Sequence, residues 1–175
     1  MKKISLLILA LFSLQSLKGM DARSQKDLDY ALIQEGEQIY IGKNYEKIEQ
    51  LLIAGANPNV KGRYPLLMSA VCNRNLKICT LLIKHKADTN VRETQFGCTP
   101  LMWAAKGSPI NEQVPNCLAM CELLLKNKAD VHARNNLNGT AWQSAHRNNQ
   151  MAICELLEKY GAKKEANEDD SAEVF

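Results

Sequence analysis

The sequence predicts an all-α solenoid of stacked helix pairs, and three observations carry that prediction. A leucine-rich block recurs: Leu81-Leu-Ile-Lys-His-Lys-Ala-Asp-Thr-Asn-Val91 returns as Leu123-Leu-Leu-Lys-Asn-Lys-Ala-Asp-Val-His-Ala133. Its earlier relative is Leu51-Leu-Ile-Ala-Gly-Ala-Asn-Pro-Asn-Val60, and a shorter last copy is Leu156-Leu-Glu-Lys-Tyr-Gly-Ala162. A second block alternates with the first, as Gly62-Arg-Tyr-Pro-Leu-Leu-Met-Ser-Ala70, Gly97-Cys-Thr-Pro-Leu-Met-Trp-Ala-Ala105 and Asn138-Gly-Thr-Ala-Trp-Gln-Ser-Ala145. The third observation is the period. Ala56 to Ala87 is 31 residues, Ala87 to Ala129 is 42 and Ala129 to Ala162 is 33, slightly over thirty with one long insertion. Fixed periods of this length are the signature of repeat architectures.

Four units follow, at 27–60, 62–95, 96–135 and 137–164. In the first, Asp27 to Gly36 and Asn44 to Ile53 read as helices, with no Thr-Pro-Leu element to introduce them. An N-terminal cap with one face in water departs from the internal pattern in this way. In the third, Thr99 is placed to cap a helix whose first position suits Pro100, since proline has no N–H to leave unpaired. The fourth carries Ala141 and Trp142 at the Pro100 and Leu101 positions and reads as the C-terminal cap. Small residues at Ala70, Ala104, Ala105 and Ala145 allow close helix approach, while Leu81, Leu82, Leu123, Leu124 and Leu156 supply a shared apolar layer. One unit cannot bury its own apolar face, so stability comes from stacking. Residues 165–175 are polar and acidic and read as a flexible tail.

These blocks resemble the ankyrin repeat, whose unit of about 33 residues has a Thr-Pro-Leu-His-like entry to its first helix and a Leu-Leu-x-x-Gly-Ala-Asp-like end to its second. Thr99-Pro100-Leu101 is the best copy of the entry. Lys86-Ala87-Asp88 and Lys128-Ala129-Asp130 copy the end, with Lys in place of Gly. The resemblance covers residues 27–164 and implies an ankyrin-like repeat solenoid with short hairpin turns between helix pairs.

The formal charge is +3, from 22 basic and 19 acidic residues. Residues 1–19 hold Lys2, Lys3 and Lys18 and no acid, so the rest of the chain is near neutral. Met1-Lys2-Lys3 followed by the apolar run Ile4 to Leu14 has the layout of a secretory signal peptide. Eleven residues fall short of the roughly twenty that span a bilayer, and no stable anchor is expected. The expected location is therefore exported, periplasmic or secreted, with a cytoplasmic chain that has an apolar start as the alternative.

Six cysteines in an exported chain invite a disulfide reading. Cys79, Cys121 and Cys154 precede their Leu-Leu pairs by the same step, and ankyrin-like stacking separates such positions by about 10 Å, beyond the reach of a disulfide. They are expected to be small buried core residues, with Cys72 similar in a first helix and Cys98 near an exposed turn. Cys117 and Cys121 share a helical face at i,i+4, but neither His132 nor His146 has a spacing that would complete a metal site.

No phosphate loop, zinc-helix motif or serine elbow occurs after residue 20, so no catalytic residue, cofactor or metal is expected and the chain reads as a non-enzyme. Basic residues are dispersed and aromatics make up 6%, which argues against nucleic acid. The resemblance implies a monomeric protein-interaction module that binds a protein partner on its concave or loop face. Candidate contacts are Arg63, Tyr64, Met68 and Arg74 in unit two, and Phe96, Met102, Trp103 and Lys106 in unit three. Trp103 is the leading anchor, with packing between units as its structural alternative. The segment Lys106 to Asn116, bounded by prolines, reads as a loop inserted between the two helices of unit three. Alternative roles are a structural, inhibitory or escort protein for an exported enzyme, or a secreted effector.

Overall fold

The structure, a computed structural model, describes residues 22–37, 44–60, 62, 64–107 and 114–164. The leader read at 1–19, the tail at 165–175, Arg63 and residues 108–113 of the insertion lie outside them. Eight helices are seen among the described residues: α1 (Ala22–Glu37), α2 (Tyr45–Ile53), α3 (Leu66–Cys72), α4 (Leu76–Lys84), α5 (Pro100–Ala105), α6 (Val114–Lys126), α7 (Ala141–Arg147) and α8 (Met151–Lys159). They pack as four pairs in chain order. The odd-numbered helices touch one another in succession and so do the even-numbered ones, giving two parallel layers. No strand occurs among the described residues, so the fold is an all-α helix-pair solenoid.

Local chemistry sets the helix starts. Thr99 Oγ1 accepts from Met102 N, and the Met102 sulfur accepts from Thr99 N at 3.5 Å, with Pro100 following as the first helical residue. Unit four lacks that proline and uses a polar reciprocal cap instead: Thr140 Oγ1 accepts from Gln143 N at 3.2 Å, and Gln143 Oε1 accepts from Thr140 N at 3.0 Å. Unit two has Tyr64 at the Thr99 position and shows no side-chain cap on α3. α4 is capped by Asn75, whose carbonyl accepts from Ile78 N.

The core is the sandwich between the layers. Leu67, Ile78, Leu82, Leu101, Met120, Leu124, Ile153 and Leu157 are fully enclosed, and Ala70, Ala104, Ala105 and Ala145 sit where helices cross closely. Leu32 and Ile48 extend this layer into the first unit. There Glu35 pairs with Lys47 and its carbonyl accepts from the Asn44 amide, which pins α1 to α2. Trp142 lies over the last unit, donating to Glu158 Oε1 at 2.9 Å and stacking on His146 at 4.8 Å between ring centroids. This indole bond draws the Glu158 carboxyl below its ordinary range.

A side-chain ladder ties units one, two and three together along the loops. Asn59 Nδ2 donates to Lys86 O at 3.2 Å while its Oδ1 accepts from Asp88 N at 2.7 Å. Asn90 repeats both bonds on Lys128 O and Asp130 N, at 3.0 and 2.7 Å. Gln25 and Asp29 of α1 do the same for Gly55 O and Asn57 N. The positions these rungs grip, Gly55, Lys86 and Lys128, have left-handed backbones, with φ of 100°, 71° and 68°, and Gly161 holds the same conformation, φ 96°, at the matching place in unit four.

Several expectations need correction. α1 begins at Ala22, ahead of the expected Asp27. α6 begins at Val114, so residues 114–116 are helical rather than part of the inserted loop; Pro115 falls in the first turn, where its missing N–H removes no helical bond. Cys79, Cys121 and Cys154 are buried, but Cys72, the last residue of α3, is exposed and lines both clefts of the binding face. Met68 and Met102 are only 1% and 3% exposed, which takes both off the accessible surface.

Candidate binding face

Two clefts open on the face formed by the odd-numbered helices and the loops before them. The larger, about 690 Å³, is bordered by Tyr64, Phe96 and Trp103, with Ile33, Leu66 and Met68 among its lining residues. Tyr64, Phe96 and Trp103 are 47%, 43% and 36% exposed, a set of large rings that the fold leaves in water. Apolar area rimmed by polar groups is the usual composition of a recognition surface.

Phe96 is held there by the loop beneath it. The Glu93 carboxylate accepts from the backbone N–H groups of Gln95, Phe96 and Cys98 at 2.6, 2.7 and 3.1 Å. Glu93 is itself buried, and burial opposes its ionisation; the three N–H donors outweigh that and hold the carboxyl below its ordinary range. Phe96 O accepts from Asn136 N at 2.8 Å, joining this turn to the corresponding turn of unit four. Gly97, with φ 67°, lies against the Asn136 side chain, so a larger residue there would break that seam.

The smaller cleft, about 400 Å³, lies at the C-terminal ends of α3 and α5. Arg74, Lys106, Cys72, Cys117, Asn148 and Gln150 line it, and Trp103 and Cys72 border both clefts. Arg74 turns out of α3 with φ 53° and donates through Nη2 to Gly107 O at 3.1 Å. Its Nε is buried and has no acceptor. Lys106 Nζ stands 5.6 Å from the centroid of the Trp103 ring, a cation–π contact. Burial raises the Cys117 thiol, an effect that the hydrogen bond and charge of Arg74 partly offset.

Of the sequence candidates, Tyr64, Met68, Phe96 and Trp103 line the larger cleft, with Met68 forming buried floor rather than accessible contact. Arg74, Trp103 and Lys106 meet at the smaller cleft. Met102 lines neither and faces the core and the Thr99 cap. Glu93, Asn148 and Gln150 were missed. Glu93 carried a weak signal, an acid just ahead of the Thr-Gln-Phe-Gly turn whose N–H groups need an acceptor. Asn148 and Gln150 reach the cleft through stacking of unit four on unit three and have no local signature.

Among the described residues there is no group of three or more His, Cys, Asp or Glu that could hold a metal, and no helix long and apolar enough to cross a membrane. A search of curated proteins returned no match. A family model described as ankyrin repeats, three copies, matches residues 38–135, more than half of the 175. That family is one of binding scaffolds rather than catalysts. Helix pairs in two layers, left-handed turns at each unit end and the extent of that match agree: the chain belongs to the ankyrin-repeat family.

Proposed function

We propose that the chain binds a partner protein across the face bearing the two clefts, with Trp103 as the central anchor. The observation that supports this reading most is the exposure of Tyr64, Phe96 and Trp103 around one cleft of about 690 Å³, Trp103 on α5 and Phe96 on a turn braced by Glu93. Indole and phenol rings lose little conformational entropy on binding and supply much of the energy at interface centres. The test is partner capture by the purified chain and by Trp103→Ala and Tyr64→Ala, each checked for an unchanged helical spectrum. Capture should fall sharply with Trp103→Ala. Equal capture by both variants would refute docking at this face.

We also infer export of the chain. The support is sequence alone: Lys2 and Lys3 ahead of the apolar run Ile4 to Leu14. Cell fractionation with mass analysis of the N-terminus tests this; an intact Met1 on a chain confined to the cytoplasm would refute it.

A further inference from the structure

We propose that the smaller cleft sets partner specificity, by receiving the carboxylates of an acidic partner segment whose neighbouring apolar side chain occupies the larger cleft. The proposal rests on the docking face described above and names the chemistry of what docks there.

Charge is the first argument. Among the described residues, the lining of the smaller cleft has two cations, Arg74 and Lys106, and no carboxylate. Neither cation has an ion-pair partner among the described residues. Lys106 is seated over the Trp103 ring, and Arg74 spends one N–H on Gly107 O while its Nε lacks an acceptor. A guanidinium offers five donors, and among the described residues this one reaches Gly107 O and the Cys117 thiol, leaving donors for an anion. Asn148 and Gln150 add amide groups on the opposite wall. A cleft of this composition, with low-dielectric walls, favours an anion.

The larger cleft supplies the second argument, since its character differs. Its titratable lining groups include Glu37 and Glu93, and the Glu93 carboxylate is already occupied by three backbone N–H groups. What remains accessible there is the three rings with polar Glu37, Asn73 and Gln95 at the rim, and no cation among the described residues. Trp103 borders both clefts, so a single extended segment crossing it meets an apolar site on the Phe96 side and a cationic site on the Gly107 side. The direction of the segment follows: apolar residue toward the loops before α3 and α5, acids toward the turns after them. A basic segment would place like charge against Arg74 and Lys106, which is strongly disfavoured.

The probe is a library of random peptides displayed on phage and selected on the purified full-length chain, followed by fluorescence-polarisation titration of the most enriched peptide. Enriched peptides should be net acidic with an adjacent aromatic or branched apolar residue. Lys106→Glu should weaken binding by about tenfold or more, with the loss reversed by exchanging the peptide's acids for lysine. Enrichment of neutral or basic peptides, or unchanged affinity in Lys106→Glu, would overturn the proposal. If Trp103→Ala still abolishes capture in that case, the docking face stands and only its charge preference fails; if Trp103→Ala is also silent, the docking face fails with it. A gain of about tenfold or more on deleting residues 165–175 would overturn the assignment to a foreign segment, because the chain's own acids would then compete for the cleft.

Discussion

Replacing Lys86 and Lys128 with glycine tests the most regular feature of the fold. Both lysines are exposed, neither side chain makes an ion pair among the described residues, and both hold φ near 70° at the end of a second helix. An L-residue in that region is destabilised by about 1–2 kcal/mol through the close approach of its Cβ to the backbone carbonyl. Glycine removes this strain but loses about 0.5–1 kcal/mol more chain entropy on folding. The difference leaves a net gain of about 0.5–1 kcal/mol at each site. The sites lie in different units and should add nearly independently, so the double variant gains about 1–2 kcal/mol. At about 2–4 °C per kcal/mol for a chain of this size, Tm should rise by several degrees. Urea and thermal unfolding followed by circular dichroism provide the assay, with Lys86→Ala and Lys128→Ala as controls that keep the Cβ. The reasoning fails if the alanine variants gain as much as the glycine ones, because strain would not then be the cause. It fails equally if both glycine variants lose stability.

Three further outcomes are expected. His132 occupies the place of Asn59 and Asn90 in the ladder, opposite Gly161, so His132→Asn should add bonds to Gly161 O and Lys163 N and stabilise the last unit by about 0.5–1.5 kcal/mol; amide exchange in α8 that does not slow would contradict this. Glu93→Ala should cost about 2–3 kcal/mol by leaving three turn N–H groups without their charged acceptor, and the unfolding midpoint reads the loss. The Glu93 carboxyl is more acidic folded than unfolded, so its contribution is complete above its ordinary value of 4.5 and disappears as pH falls through the lower folded value; a parent and Glu93→Gln difference that did not shrink in that acid window would be the contrary result. Alkylation at mildly alkaline pH, followed by peptide mass analysis, should modify exposed Cys72 and half-buried Cys98 first. Cys79 and Cys121 should react only as the protein unfolds, since burial raises both thiols, Cys79 to about 12.

The parts of this molecule that recur in sequence were legible in sequence, for a physical reason. A repeated unit must solve the same packing problem each time, so the paired leucines and the Cys79, Cys121 and Cys154 series each return at one structural position. Buried positions were harder to separate from exposed ones within a short helix. Met68, Met102 and Trp103 all read as first-helix residues, and only the path of the neighbouring unit decides that the methionines lie inside while the indole reaches water. Arg74 and Lys106 were expected as partner contacts, and the structure brings both to the smaller cleft. Their convergence with Gln150 depends on Gly107, whose φ of 72° lets the backbone turn beside the Gln150 side chain. That relation spans two units and has no local trace. The start of α6 was hidden by Pro115, which reads as a breaker unless its place in the first turn is known.

The asparagine ladder has a consequence for how this architecture can change length. From Asn59 to Asn90 the chain advances 31 residues, and from Asn90 to His132 it advances 42, yet Asn90 grips Lys128 and Asp130 as Asn59 grips Lys86 and Asp88. The extra residues enter between α5 and α6, at the end of the helix pair remote from the rungs. Alignment of neighbouring units is thus set at one edge of the molecule, and sequence length is free to vary at the other. An edge that keeps count beside an edge that does not lets new segments be acquired next to the Arg74 and Lys106 cleft while the stack beneath them keeps its spacing.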